Sequence, residues 1–454
     1  MSFFKAYDMR GEFGVDFTLD TVYRIGRWLP TVIGAHRFLV GRDARISGGP
    51  IHDTLCQALV ESGAEVDDMG LASTPMVYFM TASGAYDCSV QITASHNPPS
   101  HNGMKVSRHG AMPVGYESGL AELERRAASG ELPPPAEGGQ MRQVQYREDF
   151  VRWLVNWGLD FRHLRFAVDC SDGMAALFAH EVFGPSAVYL NDQVDGSFPH
   201  HSPNPLDPDS RRQLVAAVRE QGLDLGMVFD GDADRVMFVD ERGEFISPDC
   251  LIPIIARHFL KNEPGAAVIH DVRTSRGAIE ALIRDGARPV MGKVGHAYAK
   301  ILLRQEKAVC GGELAGHYYF RDFYCCDSAG LAAMIVLAAV DAAKAEGKTF
   351  SQLLAPILCY AGSGEINFRL SGDAHGPVGD AAIAALLKAA EAFGEPTGRS
   401  DIDGVRLEFR DGWINVRRSN TEPYLRLLAE AADAAVLTER VAILREAIKP
   451  YLKK

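Results

Sequence analysis

The stretch Ile92–Lys105, ITASHNPPSHNGMK, places a hydroxyl nucleophile (Ser95), an imidazole (His96) and an amine (Lys105) in one short segment. The apolar run Cys88–Ile92 before it reads as a buried strand, and Asn97-Pro98-Pro99 and Asn102-Gly103 read as two turns. A serine on a turn just past a strand is exposed and oriented, as a covalent phosphate or acyl carrier requires. The same residues also fit a turn-rich surface loop in which Ser95 caps a helix. The surrounding chain has to discriminate.

At 454 residues the chain is too long for one core and implies roughly three or four domains. Its composition, 47% hydrophobic and 23% charged, is that of a water-soluble globular protein. A net charge of −12 argues against general affinity for nucleic acid or anionic membranes, and makes any local cluster of Arg and Lys more informative. The opening MSFFKAYDMRGEFG has no long apolar core and does not read as a secretory signal. The apolar helix Ala329–Val340, between Asp327 and Asp341, is too short to span a bilayer. Eight cysteines contain no CxxC pair, against a zinc site or disulfide framework, and Cys325-Cys326 reads as two reduced thiols. The expected location is the cytoplasm.

Strands and helices alternate through three blocks, 1–140, 141–244 and 245–359, the signature of α/β layers with mostly parallel sheets. In the first, Tyr7-Asp8-Met9-Arg10-Gly11 reads as a polar cluster followed by a turn. A short strand, Arg37–Val40, ends in Gly41-Arg42-Asp43-Ala44-Arg45, and a helix follows with Ile51, Leu55, Leu59 and Val60 on one face. Pro133-Pro134-Pro135 and Gly138-Gly139 read as a linker. In the second block, the proline-rich Ser197–Asp209 reads as irregular, with His200 and His201 as surface residues. The similar lengths hint at an internal repeat without sequence identity. The last block, 360–454, has runs of strands and reads as a smaller α+β domain.

Three further stretches carry chemistry. Asp230-Gly231-Asp232-Ala233-Asp234-Arg235 lies between apolar strands; in an extended loop its alternate side chains point one way, so three carboxylates converge. Such a cluster repels itself unless a cation sits within it, and oxygen-only ligands suit Mg²⁺. Flanking strands and the missing twelfth-position Glu exclude an EF-hand, and the apolar flanks weigh against a solvated acidic turn. Gly311–His317 carries Glu313 and His317, which fit either a structural loop or a reader of sugar hydroxyls. Arg417-Arg418-Ser419-Asn420-Thr421-Glu422-Pro423, between two strands, reads as a phosphate cradle or a polar hairpin tip, and the doubled Arg in an acidic chain favours the cradle. Arg10, Arg42, Arg45, Arg273, Lys293 and Arg426 are further cations near loops, each individually compatible with a surface charge.

Taken together, TASHNP with NGMK, DGDADR, GELAGH and RRSNTEP make the chain resemble the α-D-phosphohexomutase family, in particular its bacterial phosphomannomutase/phosphoglucomutase branch. The resemblance covers essentially the whole chain. It implies an α/β fold of four domains in a heart shape around a central cleft, with the fourth domain (360–454) α+β. It also implies interconversion of hexose 1-phosphate and hexose 6-phosphate, of mannose or glucose, through phosphoserine and a hexose 1,6-bisphosphate that also serves as activator.

By the same resemblance, Ser95 is the phosphorylated serine, and Asp230, Asp232 and Asp234 hold Mg²⁺ with it. Lys105 and His317 are the candidate acid/base groups, with Arg10, Tyr7, His96 and Arg235 nearby, and the cationic field is expected to lower the pKa of Lys105. Glu313 reads sugar hydroxyls beside Ala315, Arg273, Lys293, Gly295 and His296 approach the ligand, and Arg417, Ser419, Asn420 and Thr421 clamp the idle phosphate. Ala315 and Arg273 depart from the usual Ser and Lys, which bears on sugar preference. Phosphoglucosamine mutase is an alternative that Asn420 disfavours; a non-catalytic sugar-phosphate-binding homologue is another that Ser95 and Lys105 disfavour. The expected partners are small phosphosugars, with neither nucleic acid nor membrane, and the expected state is a monomer or weak homodimer.

Overall fold

In the computed structural model, residues 3–419 and 424–453 are described, and the apolar runs pair into four separate sheets. The first three share one plan. In each, the first strand lies in parallel between the second and third, and a fourth folds back antiparallel on the third. The first unit uses Arg37–Arg42, Glu65–Leu71, Cys88–Ile92 and His101–Arg108. The second uses Phe166–Asp169, Val188–Leu190, Leu225–Phe229 and Val236–Asp240. The third uses Ala267–Asp271, Arg288–Gly292, Cys310–Gly312 and Tyr318–Phe320. Parallel neighbours need a crossover, and helices such as Thr74–Ser83, Arg212–Gln221 and His296–Gln305 supply it at the same place in each unit. The hinted repeat is therefore one of topology.

Several local readings change. Asn102-Gly103 is not a turn: it lies in the strand His101–Arg108, opposite Gly11 and Arg10 of the edge strand Met9–Glu12. The glycine is needed because a Cβ at 103 would sit 2.0 Å from the Met9 carbonyl oxygen. The polar cluster Tyr7–Gly11 likewise runs into that strand. A helix, Leu19–Ile33, has no counterpart in the sequence reading; Pro30 inside it masks a face of Val22, Ile25, Leu29 and Ile33. The proline-rich linker is fastened to this helix, since Arg27 donates to the Pro133 carbonyl at 2.8 Å and Trp28 to that of Glu131 at 3.0 Å. Beyond it, Gln140–Gln143 adds a parallel strand to Glu65–Leu71 of the first sheet. His201 is not a surface residue: its ring is buried against Asp169, whereas His200 is half exposed beside Asp172.

One apolar core runs through the first three units, from Met76 and Phe79 through Phe178 and Phe229 to Phe320 and Leu331. The fourth domain has its own, around Phe368, Leu386, Phe409, Leu425 and Ile448 under an antiparallel sheet. Arg406 ties it to the third domain by donating to the carbonyls of Val272 (2.6 Å) and Thr274 (3.0 Å). The cysteines are free thiols, and no described helix is long and apolar enough to cross a membrane.

Candidate active site

The repeat decides where the chemistry sits. Each of the first three motifs occupies the same turn of its unit, between the parallel third strand and the antiparallel fourth. Ser95 follows Cys88–Ile92, the three aspartates follow Leu225–Phe229, and Glu313 to His317 follow Cys310–Gly312. Two of the turns meet directly, for Ser95 Oγ donates to Asp230 Oδ2 at 2.8 Å.

Ser95 starts no helix and is fully buried. Its φ of 52° lies in the left-handed region, which costs a non-glycine residue about 1–2 kcal/mol. Its amide donates to Thr93 Oγ1 at 2.8 Å, and that hydroxyl donates to Asp43 Oδ2 at 2.7 Å. His96 Nδ1 is 3.3 Å from Ser95 Oγ. Burial, with Arg235 and Arg10 nearby, holds the His96 pKa well below its usual value, so the ring is neutral.

The aspartate loop is a tight turn and not the extended run that alternation implied. Asp230 Oδ1 accepts the amides of Asp234 and Arg235, both at 3.1 Å, and Ala233 has a φ of 58°. The turn buries all three carboxylates, with ligand atoms within 4.8 Å of one another. Asp232 Oδ1 and Asp234 Oδ1 have no hydrogen-bond donor among the described residues. Buried, oxygen-only and partly unsatisfied, the set fits a hard divalent cation. Thr74, at the start of Thr74–Ser83, donates to Asp232 Oδ2 at 2.6 Å. Nothing in its sequence surroundings marks that role, because 158 positions separate the pair.

Lys105 Nζ reaches the same cluster, 2.8 Å from Asp232 Oδ2 and 2.5 Å from Asp234 Oδ2. Burial opposes the charge on Lys105, but the two carboxylates outweigh it and raise its pKa while no cation shares them; the expected lowering belongs to the cation-loaded site. Asp230 is raised well above the carboxylate range by burial and by repulsion from Asp234 and Asp232.

From the third unit, His317 Nε2 accepts from Arg235 Nε at 2.9 Å, while Nδ1 lies 2.8 Å from Asp327 Oδ2. Lys300, also buried, is 2.7 Å from Asp327 Oδ1. Both Glu313 oxygens are engaged, one by the Gly295 amide (2.6 Å) and one by the Tyr319 hydroxyl (2.5 Å). Gly295 has a φ of 127°, and a Cβ there would come within 2.9 Å of the Tyr7 ring. Burial, with Asp8 and Glu313 near, pushes the Tyr7 hydroxyl up to about 12. The Tyr7 ring meets His296 edge-on, and Arg10 bridges Asp8 (2.6 Å) and Asn97 (3.2 Å). Lys293 is exposed and lies over the Tyr298 ring, which itself meets the Tyr7 ring edge-on.

In the fourth domain, Arg417 is buried and bonds Glu365 at 3.0 Å, with Arg426 at 2.6 Å and Arg273 at 3.6 Å from the same carboxylate. Arg418 turns away to Asp380 and the Ala374 carbonyl, so only one of the two adjacent guanidiniums joins the cluster. Ser419 is buried, and its amide donates to the Tyr424 carbonyl. Asn420 and Thr421 lie outside the described residues.

A cavity of about 560 Å³ is lined from all four domains. Tyr7, Arg10 and His96 come from the first, and Arg235 from the second. Arg273, Gly295, His296, Glu313, Ala315 and His317 come from the third, and Glu365 and Arg426 from the fourth. Ser95, Lys105 and the aspartates sit behind this wall.

The four domains match four phosphoglucomutase/phosphomannomutase family models: α/β/α domains I (residues 1–132), II (146–243) and III (247–360), and the C-terminal domain (365–447). A phosphomannomutase of Escherichia coli is 36% identical over 453 residues, covering 96% of this chain and 97% of that protein. The phosphohexose mutases of Xanthomonas campestris pv. campestris are 35% identical over 449 residues, covering 96% and 97%. The crystal structure of a phosphoglucomutase/phosphomannomutase family protein from Burkholderia thailandensis superposes with a TM-score of 0.88 at 29% identity, covering 99% of this chain and 97% of that one. With four domain models matched in order and a cleft built from all four, the chain belongs to the phosphoglucomutase/phosphomannomutase family and is a hexose-phosphate mutase.

Proposed function

We propose that this mutase carries the phosphoryl group on Ser95 and passes it through a hexose 1,6-bisphosphate, with mannose and glucose phosphates as substrates. The observation that carries the reading is the contact of Ser95 Oγ with Asp230, which sets a buried hydroxyl against the only cluster of three carboxylates among the described residues that is drawn from a single loop.

Phosphoryl transfer depends on positioning and charge neutralisation. Asp230, Asp232 and Asp234 would hold Mg²⁺, which when bound neutralises charge on the phosphoserine. The chain's own residues do the rest. A sugar hydroxyl attacks the phosphorus, the bond to Ser95 Oγ breaks, and the serine oxygen takes a proton. The hydroxyl's proton passes to His317 Nε2 once the Arg235 guanidinium, which occupies that nitrogen's single lone pair here, moves off it. Lys105, whose ammonium lies between Asp232 and Asp234, would supply the proton that the serine oxygen takes. The bisphosphate then turns over, and its other phosphate returns to Ser95. Arg417 with Ser419, Asn420 and Thr421 would hold whichever phosphate is idle, and Glu313 the sugar. Both the buried serine and the enclosed carboxylates favour transfer between sugars over loss to water.

The test is a coupled assay of glucose 1-phosphate and mannose 1-phosphate conversion with Mg²⁺ and a trace of bisphosphate, alongside intact mass of the protein. Both sugars should be converted and one phosphate should appear on Ser95; turnover with an unmodified serine would sink the scheme.

A further inference from the structure

We propose that Arg45 is a positioning residue for phosphoryl transfer, holding Ser95 in the backbone conformation that aims its hydroxyl at the aspartate loop. The proposal rests on the reading of Ser95 as the phosphoryl carrier. Far from being a surface charge, the Arg45 side chain is completely buried. Its Nη2 donates to the carbonyl oxygens of Ser95 (2.7 Å) and Asn97 (2.6 Å), and its Nη1 to those of Pro98 (2.5 Å) and His101 (3.0 Å). Nε bonds Asp43 Oδ2 at 3.1 Å. One guanidinium thus satisfies four carbonyls of a single loop.

The two ends of the residue are tied to the same pair. The Ser95 carbonyl is held by Arg45, and the Ser95 amide reaches Asp43 through the Thr93 hydroxyl. Fixing the peptide planes on both sides of one Cα fixes its φ and ψ. Together with the local turn in which the Asn97 amide donates to the Ala94 carbonyl at 3.0 Å, that accounts for a serine kept at a φ of 52°. A lysine could not substitute, because a single ammonium lacks the planar fork that spans four acceptors.

A second unit of the fold uses the same device. After the first strand of the third unit, the Arg273 amide donates to Asp271 Oδ1 at 2.6 Å, just as the Arg45 amide donates to Asp43 Oδ1 at 3.0 Å. There Asp271 Oδ2 accepts from Leu314 of the motif loop at 3.2 Å, and Arg273 faces the cavity. In the first unit the arginine turns inward instead, onto the loop it follows in space. The Phe198 ring, 5.3 Å from the guanidinium, closes it in from the second domain.

The test compares wild type with R45K by thermal melting, by kcat and KM, by the rate at which glucose 1,6-bisphosphate phosphorylates Ser95, and by amide exchange across 94–101. A folded R45K should keep its KM, exchange faster in that segment, and lose about 10²-fold in both kcat and Ser95 phosphorylation, the effect of a misplaced reacting atom. Wild-type rates in folded R45K, or a change confined to KM, would overturn the proposal. Should R45K fail to fold, T93V breaks the amide side of the same clamp; a lower kcat at unchanged KM supports the proposal and an unchanged kcat refutes it. Absence of phosphate on wild-type Ser95 would instead overturn the carrier reading, and this proposal with it.

Discussion

Ser95 Oγ and Asp230 Oδ2 are 2.8 Å apart although 135 positions separate them in the chain. The contact joins the hydroxyl of one unit to the carboxylates of the next, so a phosphate on that oxygen would lie against the acidic turn. Replacing the serine with alanine removes the acceptor and little else. S95A should fold normally and lose on the order of 10³-fold or more in kcat, as nucleophile deletions do. Mutase activity within tenfold of wild type in the coupled assay would be incompatible with a phosphoserine.

The acidic turn makes a separable prediction. Asp232 and Asp234 each keep one buried oxygen without a donor among the described residues, as the proposed cation ligands require. EDTA should abolish turnover and Mg²⁺ restore it. D232N should weaken Mg²⁺ by more than the ~10-fold that loss of an outer partner costs. Calorimetric titration of Mg²⁺ into both proteins reads this without reference to activity; equal affinities would remove Asp232 from the ligand set.

His317 is held at both nitrogens, by Arg235 and by Asp327. A proton-transferring group so placed should matter to the chemical step more than to binding. H317N is expected to lower kcat by about 10²–10⁴-fold with a much smaller change in KM. The reverse pattern would make it a binding residue.

A fourth prediction concerns stability away from the cleft. Burial disfavours a charged His52, but hydrogen bonds to Asp68, Cys56 and Asp53 outweigh it and raise its pKa from 6.5 to about 10. A group raised in the folded state contributes stability fully below its unfolded value of 6.5, and loses it as pH climbs through about 10. The wild-type Tm should therefore drop between pH 7 and pH 10 by on the order of a few °C more than that of H52L. Parallel melting curves would contradict the pair.

Much of this architecture was legible from residue order, because apolar strands, turn residues and charge density are local properties. Cys88–Ile92, Leu225–Phe229 and the helix from Thr74 announce themselves in this way. What escaped depends on tertiary partners. Pro30 hides a helix that packing sustains, and Asn102-Gly103 looks like a turn until Met9 approaches it. Thr74 and Arg45 touch residues far away in the chain, and no spacing rule reaches that distance. The surroundings of Lys105 are equally non-local, since two aspartates of another unit hold its ammonium.

The shared strand plan of the first three units carries one more consequence. Since each motif fills the same turn, and in the first and third an aspartate at the C-terminal end of the first strand fastens it, the loops behave as separate inserts in a common socket. A hydroxyl, three carboxylates and a carboxylate–imidazole pair could each diversify without disturbing the sheet beneath the others. The enzyme reads as one structural idea used three times, with labour divided among the copies.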